Sequence, residues 1–337
     1  MGHGGAAMWP AGTIGDGSDA NGGSLRSIAV FGYSRLTRAC VEALIRWGYR
    51  VKLFCPSGDR GLFDGLMTDL SAPVAYFDGM DGDELAEAMD AFQPDFLLSI
   101  IFNHRIPDHI LERPRFGAVN VHPAPLPAFR TANAWFWPLR RGVTRSEIVV
   151  HHMTREWDRG NILVRVSFKL NAAETQGTYT AKVISHAATV MGRLDPLLRS
   201  PPLPAGEPQG EGRYYPAVKL LDLFIDFQDS TASVEALVRA CNPQHGAQAI
   251  FRKTNIEVSE AAFAEGEPEA PGTIRIRDGR PLVSCADGLL ELRVLKEPYE
   301  GVFSGERFVR FYRVEDGEML HHISALGDDE RLRGFVG

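Results

Sequence analysis

The stretch Gly117-Ala118-Val119-Asn120-Val121-His122-Pro123-Ala124-Pro125-Leu126-Pro127 reads as a short apolar strand over residues 118–121 that runs into three prolines within five residues. Proline fixes φ and lacks an N–H, so the strand stops there and the chain beyond it is stiff. Asn120 and His122 stand two apart at that end, and side chains two apart leave the same face of a sheet. Ligands of open α/β sheets bind outside the carboxyl ends of the strands. A carboxamide beside an imidazole suits acyl transfer, one group stabilising an oxyanion while the other takes or gives a proton. An Asn and a His at a strand end are as readily structural, so the setting has to decide.

Upstream, residues 27–32 (SIAVFG) form an apolar run ending in Gly, followed by a helical pattern over 36–47 with Val41, Leu44 and Ile45 on one face. Strand-like runs at 51–55 and 74–77, an amphipathic helix over 83–92 and a buried strand over 96–102 (FLLSIIF) continue the alternation. Downstream come a helix over 132–140, strands over 148–152 and 162–168, and a longer helix over 178–198. Continuous apolar strands alternating with helices predict an α/β fold, a Rossmann-like, mostly parallel sheet with helices on both faces. The first glycine turn, Gly32-Tyr33-Ser34-Arg35-Leu36-Thr37, lacks the second and third glycines that let a backbone approach a pyrophosphate, which argues against a nicotinamide site.

The run PPLPAGEPQGEG over 201–212 has the Pro and Gly density of an extended linker. Beyond it one helix (233–241) precedes short β-like runs separated by Asp-Gly turns at 278–279 and 287–288, which predicts a small antiparallel β-barrel, OB-like in character. The expected division is therefore a disordered tail over 1–26, a catalytic domain over 27–200, a linker over 201–213 and a barrel-like domain over 214–337. The tail holds eight Gly and lacks both the basic start and the apolar middle of a signal peptide. No stretch approaches a membrane span, and Cys40, Cys55, Cys241 and Cys285 form no C-x-x-C pair. A cytoplasmic protein without membrane contact, disulfide or metal site is expected. The 337 residues carry 36 Lys plus Arg against 43 Asp plus Glu, a net charge of −7, which disfavours the nucleic-acid backbone unless a local basic patch exists.

A second polar cluster, Met153-Thr154-Arg155-Glu156-Trp157-Asp158-Arg159-Gly160-Asn161, lies between two predicted strands. Asp158 before Arg159-Gly160 marks a turn, where a carboxylate commonly bonds its own backbone. Asn120-Val121-His122-Pro123, then Leu126-Pro127-Ala128-Phe129-Arg130, then Asp158-Arg159-Gly160-Asn161-Ile162-Leu163 together resemble the formyltransferase family that uses 10-formyltetrahydrofolate. In that family N-x-H-x-x-x-L-P is followed about 35 residues later by D-x-G. The family includes methionyl-tRNA formyltransferase, glycinamide ribonucleotide formyltransferase and the sugar N-formyltransferases. Tyr214-Tyr215-Pro216, Ile225-Asp226-Phe227, Cys241-Asn242-Pro243 and Ala270-Pro271-Gly272-Thr273-Ile274 look like the barrel-type C-terminal domain of its tRNA and sugar enzymes.

The resemblance implies three catalytic residues, Asn120, His122 and Asp158: the first two donating hydrogen bonds to an oxyanion, Asp158 orienting His122 and helping to move the amine's proton. It implies 10-formyltetrahydrofolate as cosubstrate, the pterin lying between the segment 102–107 and the loop 154–158, with Phe102, His104, Arg105, Ile106, Pro107 and Trp157 as contacts. His104 taken alone reads as a solvated loop residue. No metal is implied.

The family's tRNA enzyme holds RNA with a basic insertion and a basic C-terminal domain. Here residues 57–73 (SGDRGLFDGLMTDLSAP) read as a loop with one Arg against three Asp, and residues 214–337 carry 14 Lys plus Arg against 21 Asp plus Glu. A tRNA partner is therefore not expected, and the acceptor is read as a small-molecule amine, above all the amino group of a nucleotide-linked sugar. Trp135 and Trp137, on opposite sides of the predicted helix, offer an aromatic face for a sugar ring or base, one of the two being core. An N-hydroxy-ornithine or a peptide-synthetase-bound amino acid, initiator tRNA, water (a 10-formyltetrahydrofolate hydrolase) and a non-catalytic folate-binding role remain open, as does oligomeric state.

Overall fold

The computed structural model describes residues 26–67 and 69–322; apart from Arg26, the tail expected over 1–26 lies outside them. Elements in chain order are β1 (Ser27–Phe31), α1 (Arg35–Arg46), β2 (Arg50–Pro56), α2 (Arg60–Met67), β3 (Val74–Phe77), α3 (Asp83–Phe92), β4 (Phe96–Ile100), α4 (Asp108–Leu111), β5 (Ala118–His122), β6 (Arg130–Thr131), α5 (Trp137–Arg140), β7 (Arg145–His152), β8 (Ile162–Lys169), α6 (Gln176–Ser185) and α7 (Ala187–Arg199). They continue with β9 (Tyr214–Tyr215), α8 (Thr231–Cys241), β10 (Ala247–Phe251), β11 (Thr254–Ala264), β12 (Ile274–Arg277), β13 (Arg280–Cys285), β14 (Gly288–Glu297), β15 (Gly301–Ser304), α9 (Gly305–Tyr312) and β16 (Leu320–His321). The chain forms two compact units and passes between them more than once: up to His122, Ile148–Val166 and Ile184–Gly210 in the first, Pro123–Glu147, Ser167–Val183 and from Glu211 onward in the second.

The first unit is built on a helix-flanked sheet of order β3-β2-β1-β4-β5-β7-β8. β1 to β5 pair in parallel, and β7 joins β5 antiparallel. β1 and β4 are buried at every position, as their unbroken apolar runs require of strands covered on both faces. Ser34 starts α1 with a capping box, its Oγ accepting from Thr37 N at 3.1 Å while Thr37 Oγ1 accepts from Ser34 N at 3.2 Å. The strand order reverses between β1 and β4, the position where doubly wound sheets take dinucleotides. Here the turn closes onto the sheet: a Cβ on Gly32 (φ +134°) would stand 2.0 Å from Ile100 O, and Thr37 Oγ1 donates to that same oxygen at 2.8 Å.

Three local expectations are corrected. Residues 57–73 are not a loop, since α2 occupies part of them, seating Phe63 and Met67 in the core. The helix expected over 132–140 is reduced to α5, because Pro138 has to sit in a first turn and Asn133 forms a turn, accepting from Phe136 N at 3.1 Å. The long helix expected over 178–198 is two, α6 and α7, interrupted at His186.

In the second unit the antiparallel sheet runs β12-β13-β14-β11-β10-β16, with β15 added to β14. Its two edges meet through a Thr273–Met319 bridge, Ile274 N donating to Glu318 O at 2.7 Å and Leu320 N to Gly272 O at 2.9 Å. The sheet is thereby curled into the expected barrel. Register shifts around Glu260 supply the bend that closure needs.

Candidate active site

β5 carries Asn120 and His122 to its carboxyl end, and the antiparallel register sets His151 of β7 directly opposite Asn120. The chain then turns through residues 153–161 and brings Asp158 back to the same spot. Two backbone features make that return possible. Asp158 adopts φ +54°, a left-handed conformation that Asp tolerates better than most residues. Gly160 lies so close to β7 that a Cβ would stand 1.8 Å from His152 O, so only glycine fits.

The result is a small, largely dry polar cluster: His122 is 4% exposed, Asp158 7% and His151 2%. Asp158 Oδ1 lies 3.5 Å from His122 Nδ1, 3.5 Å from Asn120 Nδ2 and 3.6 Å from His151 Nε2. Away from bulk water, charge interactions among such groups are much stronger than at the surface. The carboxamide's nitrogen faces the carboxylate, since the reverse would set oxygen against oxygen. His151 Nδ1 is 2.7 Å from His152 O, an acceptor only, so this nitrogen carries the proton. Asn120 Nδ2 lies 3.2 Å from the other ring nitrogen, Nε2, and donates to it when that nitrogen carries no proton. His151 thus holds the carboxamide, while Asp158 addresses His122 on its Nδ1 side and directs Nε2 away from the carboxylate. The contacts at 3.5 Å are at the long limit of a hydrogen bond and exchange readily for shorter ones to a developing negative charge.

The six residues expected beside the pterin divide. Ile106 is buried, and Phe102 turns its ring inward against Phe31 (5.4 Å between centroids), Tyr33 (6.2 Å) and His104 (5.2 Å). Arg105 is exposed, Pro107 half-buried, and Trp157 45% exposed. Arg155 Nε, 3.5 Å from Asp108 Oδ2, links the loop carrying Trp157 to the start of α4 just past Pro107. His104 is no isolated loop residue: its Nε2 is 2.6 Å from Asp59 Oδ2, which Tyr33 Oη also reaches at 2.7 Å. Burial pushes the Asp59 carboxyl up, but the hydrogen bonds from Tyr33 and His104 and the attraction of His104 outweigh it and hold the group below the usual carboxylate range. Tyr33, Asp59 and His104 follow the ends of β1, β2 and β4, whereas Asn120, His122, His151 and Asp158 gather at β5 and β7.

Trp137 packs on Tyr215 (5.0 Å between centroids) and donates from Nε1 to Pro216 O at 2.9 Å, so it is the core member of its pair; Trp135 meets Tyr179 edge-on at 5.9 Å. All four thiols are buried, and burial pushes each up to about 12, which disfavours the thiolate. No group of three or more His, Cys, Asp or Glu among the described residues is arranged to hold a metal ion, and no described helix is long and apolar enough to cross a membrane.

Comparison with known proteins gives this cluster its family. A profile described as formyl transferase matches residues 77–193, which contain Asn120, His122, His151 and Asp158, and one described as formyl transferase, C-terminal domain, matches 218–313. The methionyl-tRNA formyltransferase of Aromatoleum aromaticum is 28% identical over 86% of this chain and 96% of its own length. Among solved structures, an N-formyltransferase from Helicobacter canadensis in complex with folinic acid and dTDP-3-aminofucose superposes with a TM-score of 0.63 at 14% identity, covering 80% of this chain and 99% of that one. HypX from Aquifex aeolicus in complex with tetrahydrofolic acid superposes with a TM-score of 0.61 at 18% identity over 87% of this chain, which spans about half (48%) of HypX. With two profiles of one family lying on this fold and together spanning more than half of its residues, the chain belongs to the formyltransferase family and is an enzyme that transfers formyl groups.

Proposed function

We propose that the enzyme takes its formyl group from 10-formyltetrahydrofolate and delivers it to a primary amine of a small molecule, most directly the amino group of a nucleotide-linked sugar. The observation that carries the reading is the convergence of Asn120, His122 and Asp158 from β5 and the loop after β7. That donor set fits a formyl group: N–H donors for its oxygen and a carboxylate for the proton. The folate supplies an acyl carbon bonded to N10, a departing nitrogen. As the acceptor's nitrogen bonds to that carbon, Asn120 Nδ2 and His122 donate hydrogen bonds to the oxygen that becomes anionic. Asp158 orients His122, accepts the proton lost by the amine, directly or through water, and returns it to N10 as the carbon–N10 bond breaks. One proton leaves the amine and one arrives on N10, so no redox partner enters. The segment 102–107, with His104 and Arg105 beside Phe102, Ile106 and Pro107, and the loop bearing Trp157 would flank the pterin, their backbone groups reading its edge.

The acidity of residues 214–337 supports a small acceptor over RNA, as does the amino-sugar nucleotide of the Helicobacter canadensis structure. Initiator methionyl-tRNA stays as the second reading because full-length sequence relatives are methionyl-tRNA formyltransferases. A panel of dTDP- and UDP-linked amino sugars, N-hydroxy-ornithine and methionyl-tRNA, each incubated with 10-formyltetrahydrofolate and read by mass spectrometry, separates them. A CHO gained in place of H on an amino sugar is the expected outcome. Formylation of methionyl-tRNA alone would overturn the acceptor assignment.

A further inference from the structure

The Pro- and Gly-rich run expected as a free linker is laced onto the catalytic loop along most of its length. Glu207 and Ile162 exchange two backbone hydrogen bonds of 2.8 Å, Asn161 Nδ2 donates to Ala205 O at 2.9 Å, and His152 Nε2 donates to Pro204 O at 2.8 Å. Gly206 is left-handed (φ +75°), and a Cβ there would stand 2.8 Å from Ile162 O, so the two chain segments approach as closely as glycine allows. At the far end of this run is Gln209, whose Nε2 donates to Asp158 O at 2.9 Å and to Gly160 O at 2.7 Å.

We propose that Gln209 is a positioning residue for Asp158, the two N–H bonds of its one amide clamping the carbonyls on either side of Arg159 so that the carboxylate stays aimed at His122 and Asn120. The proposal rests on the formyl-transfer reading given above, in which Asp158 handles the proton.

The physical need for such a clamp comes from the backbone. A non-glycine residue in the left-handed region is held there at a cost in backbone strain, so a loop left to itself relaxes toward the extended region. Relaxation at Asp158 would swing its side chain off the cluster, because φ sets the direction in which the Cα–Cβ bond leaves the chain. Gln209 opposes it from the other side: a carbonyl bonded at 158 and another at 160 fix the orientation of two peptide planes at once. Only a donor with two N–H bonds on one atom can serve both carbonyls, so a hydrocarbon of the same length loses the function while filling the same space.

The test uses the full chain with three variants: Gln209→Met keeps length and removes the donors, Gln209→Glu replaces donors by acceptors facing the two carbonyls, and Gln209→Lys restores N–H donors on a flexible stem. Formyl transfer is measured from 10-formyltetrahydrofolate to dTDP-3-aminofucose, with kcat and KM separated, and amide hydrogen exchange is followed across residues 153–161. The expected result is a kcat reduced about 10- to 100-fold in the Met and Glu variants, with KM for the folate changed by less than about threefold and much of the loss recovered by Lys. Exchange across 153–161 should quicken in the Met and Glu variants and not in Lys. A Met variant with wild-type kcat overturns the proposal, and so does an equal loss in all three variants that tracks melting temperature, which marks a strap that only stabilises. Wild-type protein that transfers formyl to no acceptor would instead sink the functional reading. The clamp is then decided by exchange alone, faster exchange in Met than in Lys upholding it and unchanged exchange overturning it.

Discussion

At the residue scale the candidate site depends on one carboxylate oxygen with three nitrogen neighbours, and their unequal roles are open to measurement. His151 Nε2 lies 3.2 Å from Asn120 Nδ2, so replacement of His151 by Phe removes this partner of the carboxamide while keeping a flat ring of similar size. We expect His151→Phe to lower kcat about tenfold with little change in KM, a smaller loss than removal of an oxyanion donor. A steady-state rate equal to wild type would show that the carboxamide is held by other means. His151 and Gln209 were not legible in the amino-acid sequence, and the reason is physical. Asn120 and His122 announce themselves because an i, i+2 pair on one strand shares a face whatever the strand pairs with. His151 acquires a role only from the antiparallel register that sets it opposite Asn120, and Gln209 only from the docking of a segment 49 residues from Gly160, contacts that no local spacing encodes.

At the element scale, unbroken apolar strands such as 96–100 and the Asp-Gly turns of the barrel were readable directly, since burial on both faces and left-handed turn positions leave a compositional trace. The extent of helices was less so: Pro138 and His186 each divide a periodic pattern at a point set by packing. α9 left no clear helical trace, three of its eight residues being aromatic. The start of α6 supplies a prediction of its own. Glu174, 3% exposed, pairs with Lys182 and accepts from Asn171 N at 3.1 Å. Burial raises its carboxyl, but the hydrogen bonds from Lys182, Thr178 and Asn171 overcome it and leave the group below its ordinary value. A folded value depressed below the unfolded one gives stability that is present above the ordinary carboxylate range and lost as pH falls through the folded value. Glu174→Gln should therefore cost about 2 kcal/mol in urea melts near neutral pH. The gap from wild type should narrow as pH falls below the ordinary glutamate value; a constant gap at all pH would contradict the assignment.

At the scale of the whole molecule, two structural features set where the candidate site lies. At the strand-order reversal between β1 and β4, Gly32 packs tightly against Ile100, and Tyr33, Asp59, His104 and Phe102 gather beside it. The antiparallel β7 meanwhile brings a loop with a buried carboxylate back to the end of β5. The measurement that tests this account most directly is single-turnover formyl transfer from 10-formyltetrahydrofolate by wild type and by Asn120→Ala, alongside titration of both with 5-formyltetrahydrofolate. The account predicts a rate about 10²–10³ lower for the variant, with folate affinity held within about threefold. A variant that turns over as fast as wild type would contradict the claim that Asn120, His122 and Asp158 carry the reaction.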